Sequence, residues 1–383
     1  MPEFSGKVLL LANYLPDQQE SMQRFARMLH MGLSARGIAV EMIRPEAKFR
    51  MPGARAGGLA KWLGYLDKFV VFPSRLKKRL SESHRGDVLH ICDHSNAIYT
   101  KYAARTPHLV TCHDLLAIRS ARGEFPENPT GSTGRVFQRM IVSGLNRARR
   151  LACVSKATMD DLLRLSALDS TKCTWIENGL NHPYGPLART EAMLRIAAKL
   201  KNPPAHFILH VGGNQWYKNR AGVIGIYSNF LKLLPEGPDL ILVGKPLTDA
   251  LQREISVANL GSRVHMLCDC DNEELRALYS AADALVFPSL AEGFGWPIAE
   301  AQACGCPVVT SARAPMNDVA GEAAVYIDPR DWATEARALR DLLWESGSEK
   351  ADRKQKSLAN AARFSADRMI DRYIEEYARV AAV

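Results

Sequence analysis

At 383 residues, 47% of them hydrophobic and 24% charged, the chain is too long for one ordinary core and too apolar to stay disordered, so two globular domains are expected. A net charge of +9 and a pI near 9.1 favour anionic partners, but no nucleic-acid recognition motif accompanies them, and nucleic acid is not among the expected partners. Apolar runs stay short of the roughly 18 residues a spanning helix needs, and the first of them is short, lacks a basic n-region and has Glu3 before it, which argues against a signal peptide and for a cytoplasmic place.

In chain order, residues 7–12 read as a strand. Residues 17–36 place Met22, Phe25, Met28, Leu29 and Leu33 at helical spacing before Gly37, and residues 38–43 read as a second strand. This is the opening of a doubly wound domain. Residues 61–80 then hold six basic residues and one acidic residue, interleaved with Trp62, Tyr65, Phe69 and Phe72. Such a segment suits an anionic membrane surface, where each Lys or Arg adds on the order of 1 kcal/mol, although a helix with core aromatics and solvated charges has the same composition. Pro73 is expected to interrupt any single helix here.

Residues 87–91 form the next predicted strand, 95–105 a helix and 108–112 a strand ending in His113-Asp114. A histidine at the carboxyl end of a parallel strand faces the crevice where doubly wound folds bind ligands, and His90 and His94 compete with it. Residues 124–133 read as a polar Pro/Gly loop, 135–150 as a basic helix and 151–154 as a strand, with Ser155 as the N-cap of the helix that follows. A hinge is expected at 181–184.

The pattern then restarts with a strand at 207–211, the turn Gly212-Gly213 and a helix at 220–234; the strand at 239–244 carries Lys245 at its carboxyl end. Asp269-Cys-Asp271 has the spacing of a metal-binding Asp-x-Asp, but Asp271 with Glu274 reads as a capping box. The Cys268/Cys270 and Cys304/Cys306 pairs are too tight for ordinary zinc spacing and read as buried free thiols. No metal is expected.

The most informative stretch is 289–310, SLAEGFGWPIAEAQACGCPVVT, set between two apolar strand runs. It turns at Gly293 and Gly295 and enters a short helix with Pro297 in its first turn. A helix start offers peptide N–H groups and partial positive charge to a phosphate, and glycines let that phosphate come close. Glu292 and Glu300 flank this anion site; carboxylates are poor phosphate ligands but good acceptors from sugar hydroxyls. Phosphate beside hydroxyls describes a nucleotide-sugar.

With its flanks YSAADALVFPSL and CGCPVVTS, this segment resembles the Glu-x7-Glu motif of retaining GT-B glycosyltransferases of family four. The resemblance implies two facing Rossmann-like domains: residues 1–183 on the acceptor side, 184–363 binding a nucleoside-diphosphate sugar, and 364–383 as a helix crossing back to the first. It implies that Glu300 holds the ribose, Glu292 meets the donor sugar, and the amides near Gly293, Phe294, Gly295 and Trp296 hold phosphate. Gly212, Gly213 and Lys218 match the family's phosphate loop, Lys245 is a second cation candidate, and His113 matches the active-site histidine. Many relatives carry an arginine where this chain has Gly213, and glycines where it has the loop 13–21; there Gln18, Gln19 and Ser21, with Asp114, are acceptor-side candidates.

The implied reaction is transfer of a sugar, from a GDP-mannose-type or UDP-sugar donor, to a saccharide or lipid-linked hydroxyl with retained configuration and no cofactor. A place on the inner face of the plasma membrane, through 61–80, goes with a lipid-linked acceptor. An epimerase or hydrolase of the same architecture, or a non-catalytic sugar-nucleotide binder, are the alternatives; the first two would act on the donor alone.

Overall fold

Short apolar strands, each parallel to its neighbours, build two six-stranded sheets in the protein. The structure, a computed structural model, describes residues 4–49 and 58–382; Glu3 and the side chain of Lys61 fall outside the described residues. The chain divides into one unit of residues 1–181 and 365–383 and another of residues 182–364.

In the first unit the strands are β1 (Val8–Leu11), β2 (Val40–Ile43), β3 (Val88–Ile91), β4 (His108–Cys112), β5 (Arg150–Cys153) and β6 (Cys173–Trp175), ordered β2-β1-β3-β4-β5-β6. β1, β3 and β4 are buried at every position, as continuous apolar runs in a parallel sheet must be. Each buried leucine there contributes about 2 kcal/mol of transfer free energy. The helix Ala366–Ala381 belongs to this unit although it closes the chain. Its Ile370 lies against Gly32, whose missing side chain makes the approach possible, and Tyr377 and Tyr373 bond to His90 Nδ1 and Thr111 Oγ1 at 2.7 and 3.0 Å.

The second unit carries β7 (Phe207–Val211), β8 (Asp239–Val243), β9 (Val264–Leu267), β10 (Ala284–Phe287), β11 (Val308–Ser311) and β12 (Val325–Ile327), ordered β12-β11-β10-β7-β8-β9. Both sheets therefore reverse their direction of growth beside their first strand, between β1 and β3 and between β7 and β10. Loops leaving such neighbouring strands part to opposite faces and open a crevice at the carboxyl ends.

Two local expectations change. Residues 95–105 form no α-helix; a 3-10 segment, His94–Tyr102, replaces it, started by the Asp93 side chain accepting from Ser95 N at 3.0 Å. Pro73 does not break the 61–80 segment. Helix Gly58–Leu66 runs through a π segment, Asp67–Val71, into helix Phe72–Ser81 with helical backbone at both junctions. The wider π turn accommodates the missing N–H and the bulk of the proline ring, so the helical path continues.

Candidate functional site

The crevice of the second unit is built by the loops after β7 and β10. Past Gly212 and Gly213, a 3-10 turn, Trp216–Lys218, delivers Lys218. Asn219 follows in the left-handed region, where asparagine is tolerated. Its side chain accepts from Gly222 N to start helix Arg220–Leu233 and donates to Pro288 O and Pro329 O at 3.0 and 3.1 Å, so one residue ties the loops after β7, β10 and β12 together. Leu290 N adds a 2.7 Å bond to Tyr217 O.

This stitching sets Lys218 Nζ 2.7 Å from Glu292 Oε1, with the ammonium also over the Phe287 ring at 5.1 Å. Gly295, at φ 103°, is the N-cap of helix Trp296–Ala303, a conformation that asks for glycine. Phe294 turns its ring inward against Phe364, which leaves its backbone facing the loop. Glu300, on the same helix, is buried and accepts from Tyr279 OH at 2.8 Å. Burial and then the Glu300 charge hold the Tyr279 hydroxyl well above its usual range, so it stays a donor. Lys245 is exposed, and Gly293 is buried in the loop.

Two residues that the sequence did not single out complete the site. Arg220 is buried, and its guanidinium donates to Asn214 Oδ1 and Lys245 O at 2.7 Å each and to Val243 O at 3.2 Å. Among the described residues it has no carboxylate partner; burial lowers its pKa, which is the electrostatic signature of an uncompensated cation. His210, on β7, donates through Nδ1 to Val286 O at 2.9 Å, and burial pulls it down to about 3, so the ring is neutral. Its Nε2, the Nε of Arg220 and the hydroxyl of Ser289 are buried polar atoms without a hydrogen-bond partner among the described residues. Native interiors rarely leave three such atoms around one crevice unless a ligand or water meets them. The signal for His210 was a lone histidine in an apolar strand just before a glycine pair.

In the first unit the crevice is differently furnished. His113 Nε2 bonds to Cys92 O at 2.9 Å and its ring meets Phe25 edge-on at 4.6 Å; burial lowers its pKa and keeps it neutral. Asp114 accepts from Leu116 N at 3.0 Å and so fixes the start of the next helix. Asn13 links Gln19, Asp93 and Asn96, while Gln18 and Ser21 are exposed. His94 Nδ1 sits 3.1 Å from Asp93 Oδ1, off the line of a well-formed hydrogen bond. Burial would lower the His94 pKa, but Asp93 more than offsets it, and the net direction is up. His90 is bonded on both ring nitrogens, to Tyr377 and Thr111, which makes it a link to the C-terminal helix.

Asp271 and Glu274 form the expected capping box at the start of helix Asn272–Ala281. The cysteines at 268, 270, 304 and 306 are free thiols; Cys304 and Cys306 are buried as expected, whereas Cys268 and Cys270, just past the end of β9, are only half-buried.

Comparison with known proteins matches residues 195–363 to the family of glycosyl transferases group 1 and residues 22–182 to glycosyltransferase family 4. The chain is 27% identical over 297 residues to O-antigen chain mannosyltransferase B of Escherichia coli, covering 74% of this chain and 75% of that protein. It is also 27% identical over 296 residues to D-inositol 3-phosphate glycosyltransferase of Salinispora arenicola, covering 72% of this chain and 64% of that protein. Among solved structures, sucrose-phosphate synthase from Thermosynechococcus elongatus superposes with a TM-score of 0.78 at 20% identity, covering 98% of this chain and 99% of its own. HepE of Anabaena, solved in complex with UDP and glucose, superposes with a TM-score of 0.73 at 17% identity, covering 97% and 98%. These structural likenesses speak for the fold, which is GT-B. The chain belongs to the group 1, family-four glycosyltransferases and is an enzyme of that family.

Proposed function

We propose that this glycosyltransferase moves a hexose from a nucleoside-diphosphate sugar to a hydroxyl of a saccharide or lipid-linked acceptor, with retained configuration and without a metal. The observation that carries the reading is the Lys218–Glu292 pair at the junction of β7 and β10, beside Glu300 and the helix start at Gly295. Lys218 and the oriented amides serve the diphosphate, Glu292 the sugar hydroxyls and Glu300 the ribose. The buried, uncompensated Arg220 adds positive potential beneath the phosphate loop and takes the electrostatic part that an arginine at Gly213 would play. Relatives named as mannosyltransferases favour a GDP-mannose-type donor, and UDP beside glucose in the HepE complex keeps UDP-sugars as the alternative. Since Glu292 is held by Lys218 and Glu300 by Tyr279, neither is placed as a free nucleophile, which favours same-face attack with the leaving phosphate as base.

Thermal stabilisation across GDP, UDP and their sugars, with and without magnesium, tests the donor; a ligand at a hundred times its Kd adds about 2.7 kcal/mol. A shift for one base, independent of magnesium, is expected. No shift with any nucleotide, or donor breakdown that ignores every acceptor, counts against transfer.

The acceptor is proposed to be membrane-near. No helix among the described residues is long and apolar enough to cross a bilayer, and the contact proposed is a peripheral one. Of the basic residues at 61–80, Lys68, Arg75 and Arg79 already pair with Asp17, Glu46 and Glu41 within the unit. Charge alone is therefore a weaker attractor than the count implies. What faces outward is Trp62, 67% exposed, with Leu66 at 44% and Val70 at 61%, one stripe at every fourth residue. Changing all three to serine should abolish binding to vesicles containing phosphatidylglycerol, while Lys77→Glu with Lys78→Glu should only weaken it; equal loss from both would point to electrostatics alone.

A further inference from the structure

Lys218 and Glu292 neutralise one another in the crevice: their 2.7 Å contact is shielded, with 16% and 8% of the two side chains exposed. A diphosphate arriving there seeks the same ammonium. It meets a carboxylate already bonded to it, and like charge in a shielded site repels strongly. We propose that Glu292 is an internal counter-ion for Lys218, and that competition between Glu292 and the diphosphate makes the crevice hold a nucleoside-diphosphate sugar in preference to the nucleoside diphosphate left after transfer. The proposal rests on the donor-site reading above and adds a direction to it.

The argument follows from what each ligand offers the displaced carboxylate. When a diphosphate takes Lys218, Glu292 loses its cation and stays in a protected place. A donor sugar answers with hydroxyls, which donate to the carboxylate and replace the lost bond. A bare nucleoside diphosphate has no donor to give. The neighbouring groups do not relieve it: the two terminal nitrogens of Arg220 are directed to Asn214, Lys245 and Val243, leaving only Nε without a partner among the described residues, and Glu300 on the neighbouring helix is itself an acceptor, held by Tyr279. Leaving a shielded acceptor without a donor costs enough to weaken binding roughly tenfold or more. Once the sugar has left, Glu292 returns to Lys218 and favours release of the spent nucleotide. Glu292 thus determines specificity between substrate and product.

The test is calorimetric titration of GDP, UDP, GDP-mannose and UDP-glucose into the full chain and into Glu292→Gln, Lys218→Met and the double variant, each first shown to melt cooperatively. For whichever base the wild type binds, Glu292→Gln should bind the nucleoside diphosphate about tenfold tighter and its sugar no tighter, so that the preference for the sugar shrinks or inverts. In the Lys218→Met background the same glutamine change should give a clearly smaller gain, that of relieved like-charge repulsion alone, because there is no ammonium left to compete for. Should Glu292→Gln fail to fold, Glu292→Ala carries the same expectation. Unchanged or weaker nucleoside-diphosphate binding in the Glu292 variants, or a gain as large without Lys218 as with it, overturns the proposal alone. Wild-type protein that binds none of the four ligands overturns the donor-site reading and the proposal with it.

Discussion

The two crevices of this protein come from one topology and are finished in opposite ways. Beside β1 and β3, Asn13, Gln19, Asp93, Ser95 and Asn96 satisfy one another, and His113 is neutral and bonded to a main-chain carbonyl. Beside β7 and β10, among the described residues, a buried arginine has no counter-ion, Lys218 has Glu292 as its one carboxylate partner, and polar atoms of His210, Arg220 and Ser289 lack hydrogen-bond partners. A parallel sheet with a reversal point supplies the place, and the loop residues decide what it takes. The first crevice, largely self-satisfied, suits a neutral, hydroxyl-bearing ligand; the second, with charge left over, suits a polyanion.

The largest break in that contrast should come from Arg220→Met. It removes the cation and leaves two acceptors in the loops after β7 and β8, Asn214 Oδ1 and Lys245 O, without this donor, while Val243 O keeps Gly212 N, so stability should fall by about 3 kcal/mol and nucleotide binding should be lost. A melting curve and a nucleotide titration read both; a fully stable variant that still binds nucleotide would reduce Arg220 to packing. Lys218→Met comes next. It leaves Glu292 without its shielded partner, so it should lower stability by about 1 to 2 kcal/mol, and it should weaken nucleotide binding roughly 10- to 100-fold, the loss expected for one charge-assisted contact of about 1.5 to 3 kcal/mol. His113→Asn is the counter-experiment in the other unit: transfer should slow while nucleotide affinity holds.

Much of the scaffold was legible, because each strand announces itself as an apolar run and glycines punctuate the ends. The stretch 289–310 was legible for the same reason: Gly295 and Pro297 fix the turn and helix start from local chemistry alone. What stayed hidden depends on distant register. His210 meets Val286, 76 positions on, only because β7 pairs with β10, and two of the three acceptors of Arg220 come from the neighbouring strand β8 and the residues just beyond it. The charge count at 61–80 misled similarly. The partners of Lys68, Arg75 and Arg79 lie 51, 29 and 38 positions away, so the basic run looked more available than it is. Pro73 was read by a rule for α-helices, and the π segment before it is a tertiary accommodation with no local signature.

A smaller effect probes the one polar feature the two units share, a neutral buried histidine on a central strand. Burial takes both His90 and His210 down to about 3, below the unfolded value near 6.5. Between those values the unfolded chain binds more protons than the folded one, so each histidine makes stability rise with pH up to about 6.5 and fall as pH drops below it. The slope should be about 1.4 kcal/mol per pH unit for each. His90→Gln and His210→Gln should each remove about half of the shared slope between pH 6 and 5; an unaltered slope in both would mean that other groups control acid sensitivity.

The smallest effect distinguishes a helix cap from a metal ligand. Asp271 accepts from Glu274 N at 2.8 Å, and the Glu274 side chain accepts from Asp271 N at 2.8 Å, a reciprocal pair that satisfies two end-of-helix donors. Asp271→Ala should therefore cost about 1 kcal/mol of stability, and Asp271→Ser, which restores a capping oxygen, should recover most of it. Neither change should alter the response of transfer to magnesium or manganese. If Asp271→Ala instead abolished transfer and serine failed to restore it while the melt recovered, the carboxylate would be working at the second crevice, and its spacing from Asp269 would have to be read as chemistry after all.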